Sequence, residues 1–374
     1  MEIRVITDDH QFTALEKTWC ELHKLSSKPE LCNSWEWLHS WWNTFKETNW
    51  KLHIYCVYTE QQLVAIVPYY SRKEAGTISL YLMGKGEPEE TEICSEFVDI
   101  IVTAGLQQEV IQTLAKHQSQ TLNSIKQVQL DQIEETSLLH KLWSATHCYV
   151  QTKRNGVRYQ VPLGQDVKTT LKTLPSSNLS KKALRLLNRF LDNSYQIDTF
   201  SQPDEFDSAW PILQRLHEIR WKANGKKGAF VNDLFYQFHR RYFDLIAPGE
   251  GAKILIISKA NEHKTAVAAI YCFYCQGQIY YYQSGIDTSC SGSPGILAHI
   301  AVLLTAADEY HSYDFMRGGE ISYKKSWASK QTPIINLTAF PRSSSGALRY
   351  YTAQGMEQIR DIKRSIGTIR KQSV

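Results

Sequence analysis

Residues 280–327 read YYYQSGIDTSCSGSPGILAHIAVLLTAADEYHSYDFMRGGEISYKKSW. The aromatic run predicts a strand, the Ser/Gly/Pro turn a helix start, and the apolar run over 294–310 the helix itself. SYDFM (312–316) predicts a second strand, and the stretch closes on Lys324-Lys325-Ser326-Trp327. Alternation along that strand buries Tyr313 and Phe315 and turns Asp314 to the opposite face. Strand, helix and strand in succession make an α/β unit.

A Ser/Gly-rich turn opening a helix presents unpaired backbone N–H groups in front of the positive end of the helix dipole. That suits an anion, phosphate above all. In Ser291-Gly292-Ser293-Pro294-Gly295 the glycines allow close approach, and Pro294 fits a first turn that needs no N–H. The turn is neither a P-loop nor G-x-G-x-x-G, and an ordinary helix start is the equal alternative. Just downstream lie Arg317 and Lys324, beside the pair Gly318-Gly319. Lys324 suits neutralising a tetrahedral intermediate or a donor phosphate, against its plainer reading as a solvated lysine.

Upstream, residues 252–286 give strand, polar turn, strand, short turn and strand. The same order appears in 50–84, followed by a strand EFVDIIV (96–102), a helix near 106–118, a strand SIKQVQL, a helix around 135–144 and a strand HCYVQT. The two copies lie roughly 200 residues apart and share pattern rather than identity. Short hairpin turns make each sheet mostly antiparallel. The expected class is therefore α/β (α+β), with mixed sheets flanked by helices. The expected domains are 1–155, 156–340 and a helical tail, 341–374.

EIRVIT precedes a helix over 8–25 with an Asp cap, and NSWEWLHSWWNTF (33–45) is an aromatic helix. Between the copies, SSNLSKKALRLLNRF (176–190) predicts a capped helix carrying Lys181, Lys182, Arg185 and Arg189. Two more helices occupy 204–225 and 232–247. Residues 346–374 predict a basic amphipathic helix with a frayed end. It is expected to pack on the domain surface, with membrane or nucleic-acid contact as the alternative.

With 43% hydrophobic and 21% charged residues the composition is that of a globular protein. The net charge of +4 is too small to announce a DNA-binding protein. No apolar run nears the roughly 20 residues of a membrane span, and the N-terminus shows no signal-peptide core. The eight cysteines lack framework spacing, which predicts reduced thiols in a cytoplasmic setting. Cys272 and Cys275 sit three apart on a strand and face opposite ways, so core thiols are expected there and no metal site.

The 280–327 stretch resembles the C-terminal signature of GNAT-superfamily acyltransferases of the cellulose and exopolysaccharide biosynthesis type, relatives of the FemAB-type peptidoglycan aminoacyltransferases. LHEIRWKANGKKGAF (216–230), NSWEWLHSWWNTF, LVAIVPYY (63–70) and the Asp99 strand match further blocks in order, over nearly the whole chain. The resemblance implies tandem GNAT-like domains, the second one catalytic. It implies an acyl-CoA donor, acetyl-CoA first, with its pyrophosphate at the 294–310 helix mouth and its thioester between splayed strands. An amine or hydroxyl acceptor of a sugar or cell-envelope precursor would enter from the cleft between domains. SGSPG departs from the superfamily's Arg/Gln-x-x-Gly-x-Gly/Ala loop, and FemAB-type relatives use aminoacyl-tRNA.

Donor contacts are expected from Ser291, Gly292, Ser293, Gly295 and Arg317. Lys324 is the expected charge stabiliser, and Asp99, Asp287 and Glu320 are candidate bases. His217 is a further candidate base or a packed histidine. Together with Arg220, Trp221 and Tyr282 it is also a candidate for acceptor binding, Trp221 and Tyr282 having a core role as the alternative. Two rivals stand beside the acyl-CoA enzyme: a FemAB-like transferase using aminoacyl-tRNA, and a GNAT-like binding subunit without turnover.

Overall fold

The computed structural model describes residues 1–372 apart from 224, 226–227, 248–250, 261–264 and 307; the polar turn expected at 261–264 lies outside the described residues. The first half contains β1 (Glu2–Ile6), α1 (Asp9–Ala14), α2 (Glu16–Leu25), α3 (Trp35–Phe45), β2 (Trp50–Leu52), β3 (Ile54–Thr59), β4 (Gln62–Val67), β5 (Tyr69–Glu74), β6 (Thr77–Leu82), β7 (Ile101–Val102), α4 (Gln107–Thr121), β8 (Gln127–Glu134), α5 (Leu138–Ala145) and β9 (Cys148–Pro162). The second contains α6 (Val167–Lys172), α7 (Ser177–Leu191), β10 (Tyr195–Phe200), α8 (Pro203–Ala223), α9 (Asp233–Leu245), β11 (Ala252–Lys259), β12 (Ala266–Cys275), β13 (Gln278–Ile286), α10 (Pro294–Leu304), β14 (Ser312–Gly318), β15 (Lys330–Pro341) and α11 (Ser344–Gln372).

The expected class holds. One sheet has the order β10-β11-β12-β13-β14-β9-β15-β8-β6-β5-β2 and runs through both halves; a smaller one has the order β1-β3-β4-β7. Among the described residues only β6–β8 and β13–β14 pair in parallel. The repeat read from the sequence recurs here. In each half a hairpin-fed strand pairs in parallel over three residues and then parts from its neighbour: Gln278–Tyr280 with Ser312–Asp314, and Ser79–Tyr81 with Gln127–Gln129. Soon after each parting a non-glycine residue turns left-handed, Met316 (φ 59) and Gln132 (φ 57). Both sit at register breaks against the next strand.

Several expectations change in detail. The runs over 50–59 and 62–74 each break in two, the second at Pro68, which has no N–H to give a ladder. The pieces join different sheets, β3 and β4 the small one, β2 and β5 the large one. EFVDIIV is a strand only at Ile101–Val102. Phe97 is left-handed (φ 65) and donates to the Gln132 carbonyl, while Asp99 is held by three backbone N–H groups. Helix 294–310 ends at Leu304, where the Thr305 hydroxyl bonds back to the Ala301 and Val302 carbonyls. The expected boundary at 155/156 falls inside the unbroken strand β9.

Helix α7 is capped by Ser176, whose hydroxyl accepts from the Leu179 N–H. It buries Ser180, Ala183, Leu186 and Leu187 and leaves Lys181, Lys182, Arg185 and Arg189 exposed. Helix α8 lies across β13 with glycine at the crossing. A Cβ on Gly285 would lie 2.2 Å from the His217 nitrogen and 2.4 Å from the Leu216 carbonyl carbon. Both are backbone atoms, so only a shift of the helix relieves the clash. Gly285→Ala is expected to cost about 3 kcal/mol of unfolding free energy, measured by urea denaturation. A loss under about 0.5 kcal/mol would show that the crossing is loose.

Candidate functional site

The parting of β13 and β14 leaves a cavity of 310 Å³, lined by Arg220, Tyr281, Ser284, His299, Tyr323 and Trp327 and mouthed by Ser293–Ile296. Tyr281 and Ser284 stand on the free stretch of β13, beyond its last parallel pair. The Tyr281 and Ser284 hydroxyls share a hydrogen bond of 2.8 Å, and Arg220 donates to the Ser284 hydroxyl at 3.0 Å. Inside α10, the His299 Nδ1 lies 2.8 Å from the Tyr313 hydroxyl, and burial pushes its imidazole down to about 3.

The loop 291–295 separates this cavity from a second one. Ser291 and Gly292 face a groove of 690 Å³ lined also by Arg185, Arg189, Tyr195 and Lys259. Ser293, Pro294 and Gly295 face the inner cavity. Ser293 is left-handed (φ 61), and no side chain caps α10, so the positive end of the helix faces this boundary uncapped. A Cβ on Gly295 would meet nothing within 4 Å, so the cavity is open at that position.

The predicted donor residues therefore divide. Ser291, Gly292, Ser293 and Gly295 lie together at the two cavities, while Arg317 is turned away into the junction of the halves. Its N–H donates to Glu96 at 2.7 Å and its guanidinium pairs with the same carboxylate at 3.1 Å. Lys324 lies beside the cavity. Its ammonium donates to the Phe315 and Arg317 carbonyls at 2.5 and 2.7 Å and sits 5.9 Å from the centre of the Tyr281 ring. Burial lowers its pKa below the ordinary lysine value.

The carboxylates do not converge on the cavity. Asp99 accepts from the N–H groups of Ile100, Leu138 and Leu139 and so caps α5; burial raises its pKa to about 6. Asp287 accepts from the Ser289 N–H and hydroxyl in a local turn, and exposed Glu320 stands 4.0 Å from Arg154. Among the described residues no carboxylate lines the cavity.

Of the acceptor candidates, Arg220 lines the cavity. His217 lies one turn earlier on α8, packed against Phe230 and Trp221. Its ring nitrogens have no hydrogen-bond partner among the described residues, and burial pushes its pKa down to about 4. Tyr282 is core: its hydroxyl donates to the Ile93 carbonyl and lies 3.1 Å from the His239 Nε2. Sequence reading missed Tyr281, Ser284, His299, Tyr323 and Trp327. Alternation along YYYQS would have separated Tyr281 from Tyr282 and set the two on opposite faces.

In the first half the corresponding opening is filled by the chain itself. Lys85 donates to the Gln132 side chain at 2.5 Å, and the Trp37 indole to the Ser95 hydroxyl at 2.8 Å. Met83, Ile93 and Phe97 are buried there.

Comparison with known proteins follows this division. Residues 177–325 match the family profile described as Acetyltransferase (GNAT) domain. No curated protein sequence matches. FemX superposes over 90% of this chain and 97% of its own, with a TM-score of 0.61 at 10% identity. A conserved protein of unknown function from Bacteroides thetaiotaomicron VPI-5482 superposes over 90% and 99%, with a TM-score of 0.55 at 11% identity. At such identities the likeness is one of fold. The chain thus repeats one α/β pattern in two halves, and residues 177–325, in the second, match the family profile described as Acetyltransferase (GNAT) domain.

Proposed function

We propose that this protein transfers an acyl group, acetyl first, from acyl-CoA to an amine or hydroxyl of a sugar or cell-envelope glycan precursor, with the second half catalytic. The observation that carries this reading is the pair of cavities meeting at the loop 291–295. A basic outer groove suits the phosphates of a long donor, and an inner cavity at the strand opening suits its acyl end. The family profile over the same residues supports acyl transfer. A donor lying this way has its anionic end near Arg185, Arg189 and Lys259 and its thioester beside Tyr281.

In the transfer the acceptor nitrogen or oxygen attacks the thioester carbonyl. A C–N or C–O bond forms and the C–S bond breaks. The acceptor's proton leaves to water, since among the described residues no carboxylate lines the cavity, and the thiolate takes a proton from the Tyr281 hydroxyl. Arg220, through Ser284, orients that hydroxyl, and the Lys324 charge lowers the cost of the developing oxyanion. In this reading Asp287, held in a local turn, exposed Glu320 and Asp99, at the α5 cap, take no part in the transfer.

A second reading is aminoacyl transfer from aminoacyl-tRNA. It is supported by the cations of the outer groove, Arg185, Arg189 and Lys259, and by the exposed cations Lys181 and Lys182 on the same helix as the two arginines. One experiment separates the readings. Calorimetry should show micromolar acetyl-CoA binding that Gly295→Trp weakens at least about 100-fold, by filling the inner cavity, and that Gly295→Ala retains. A folded wild type that ignores acetyl-CoA but retains aminoacyl-tRNA would favour the second reading. Binding of neither would point to a non-catalytic subunit.

A further inference from the structure

Polar groups gather at one part of the inner cavity wall. The Arg220 guanidinium donates to the Ser284 hydroxyl at 3.0 Å, that hydroxyl lies 2.8 Å from the Tyr281 hydroxyl, and Tyr323 lines the wall beside them. The Lys324 ammonium stands beside the cavity, 5.9 Å from the centre of the Tyr281 ring. Ile286, Pro294, Ile296 and Trp327 make other parts of the wall apolar. Among the described residues no carboxylate belongs to the lining. A guanidinium among hydroxyls, with no acid in the wall, presents N–H and O–H donors and positive charge to whatever enters.

Neighbouring groups register that charge. Burial is the main reason that His299 and His217 lie below the ordinary imidazole value, and the Arg220 charge drives both further the same way, joined at His299 by Lys324. Burial also works to lower Arg220 itself, but the Tyr281 and Tyr323 phenols beside it hold its pKa above the ordinary arginine value. The cavity therefore keeps its cation and resists a second one. A neutral substituent there gains little from the charge, whereas an anionic one forms charge-assisted hydrogen bonds with it. At 310 Å³ the space suits a small group rather than a whole glycan. The planar arginine fork matches a carboxylate, and the apolar wall suits a short hydrocarbon stem.

We propose that the inner cavity binds a carboxylate carried by one of the two reacting molecules, held by Arg220 and the hydroxyls around it, and so selects that molecule over its neutral analogue. The inference rests on the acyl-CoA reading and adds a substrate class to it. Two carriers present this chemistry: the far end of a dicarboxylic acyl chain, and an amino sugar with an acidic substituent.

Calorimetry on the full chain separates them. Succinyl-CoA is compared with butyryl-CoA, alike in chain length and different in the terminal carboxylate. On the CoA-loaded protein, muramic acid is compared with glucosamine, alike in the amine and different in a lactyl carboxylate. The charged member of at least one pair should bind about tenfold or more tighter, and the pair that shows the preference names the carrier. Arg220→Gln should abolish the preference, and Arg220→Lys, which keeps the charge without the fork, should retain part of it. Should Arg220→Gln not fold, the wild-type ratios and Arg220→Lys decide. Equal binding within both pairs, in a protein that binds acetyl-CoA, overturns this inference and leaves the acyl-CoA reading standing. A preference that Arg220→Gln retains in full does the same. A folded wild type that binds no thioester overturns both.

Discussion

Arg158→Met lowers the unfolding free energy by about 5 kcal/mol or more, enough to leave a typical domain largely unfolded at room temperature. The Arg158 guanidinium is 1% exposed and meets three carboxylates. It donates to both oxygens of Glu30 at 2.7 and 2.8 Å, to Glu134 at 2.7 Å and to Asp314 at 2.6 Å, and it lies 4.1 Å from the centre of the Phe97 ring. Lys28 at the rim pairs with Glu30 and Glu134, and the Tyr280 hydroxyl donates to Glu30. Although burial works to raise it, Glu30 is held at about 2 by Arg158 and Lys28. Buried Asp314 remains above its ordinary value despite the same guanidinium.

Without the guanidinium, three buried carboxylates share one partly exposed lysine. They are then expected to take up protons on folding, and the sign of the pH dependence follows. In the wild type the Glu30 contribution is complete above about pH 4.5 and lost as the pH falls towards 2. In the variant the raised carboxylates make stability fall as the pH rises from about 4.5 towards neutrality. Urea denaturation at two pH values checks both magnitude and sign. Adding Glu30→Gln and Asp314→Asn should recover part of the loss, because two of the stranded charges are then gone. A loss under about 1 kcal/mol would show that water reaches the cluster.

The second large effect is on the acid side. Burial holds His53 and His217 at about 4 and His299 at about 3, and it pushes His239 well below its ordinary value. A histidine whose pKa is lowered by folding contributes stability that is present above about pH 6.5 and lost as the pH falls through the folded value. For His217 the loss is on the order of 3 kcal/mol. Asp99, raised to about 6, acts in the opposite direction between about pH 4 and 6 and offsets roughly one histidine. The remainder places acid unfolding between about pH 4 and 6, above the usual carboxylate range. Unfolding free energy against pH, compared with His217→Leu, checks it: the variant's slope should be shallower by about one proton. An unchanged slope would mean that His217 is already protonated in the native protein.

How far the sequence reveals this protein depends on how local each signal is. The loop 291–295 and helix α7 were legible because helix starts, caps and basic faces are written within a few neighbouring residues. That Arg185 and Arg189 share a groove with Ser291 and Gly292 was not, because the fold brings together helices far apart in the chain. The Arg158 cluster was invisible for the same reason: its partners lie 24, 128 and 156 residues away. Asp314 was correctly turned from Tyr313 and Phe315, but its own face of the sheet proved equally buried. Lys324 was picked as a charge near the reaction. Its bonds to the carbonyls of β14 at the parting of the strands depend on a gap that no local pattern announces. Strand β15 escaped notice altogether, although PIINLTAF carries a strand's apolar character, because no counterpart in the repeat pointed to it.

That last strand sets the order in which the protein becomes complete. Strand β15 enters between β8 and β9 and, among the described residues, joins β8, β6, β5 and β2 to β9 and the second-half strands of the large sheet. As the chain leaves the ribosome, β8 and the beginning of β9 present bare backbone edges until residues 330–341 arrive, and such edges recruit wrong partners. The half of the protein made first is therefore the half finished last. A nascent chain stalled after β14 would hold its second-half sheet nearly assembled and its first half still open to other chains.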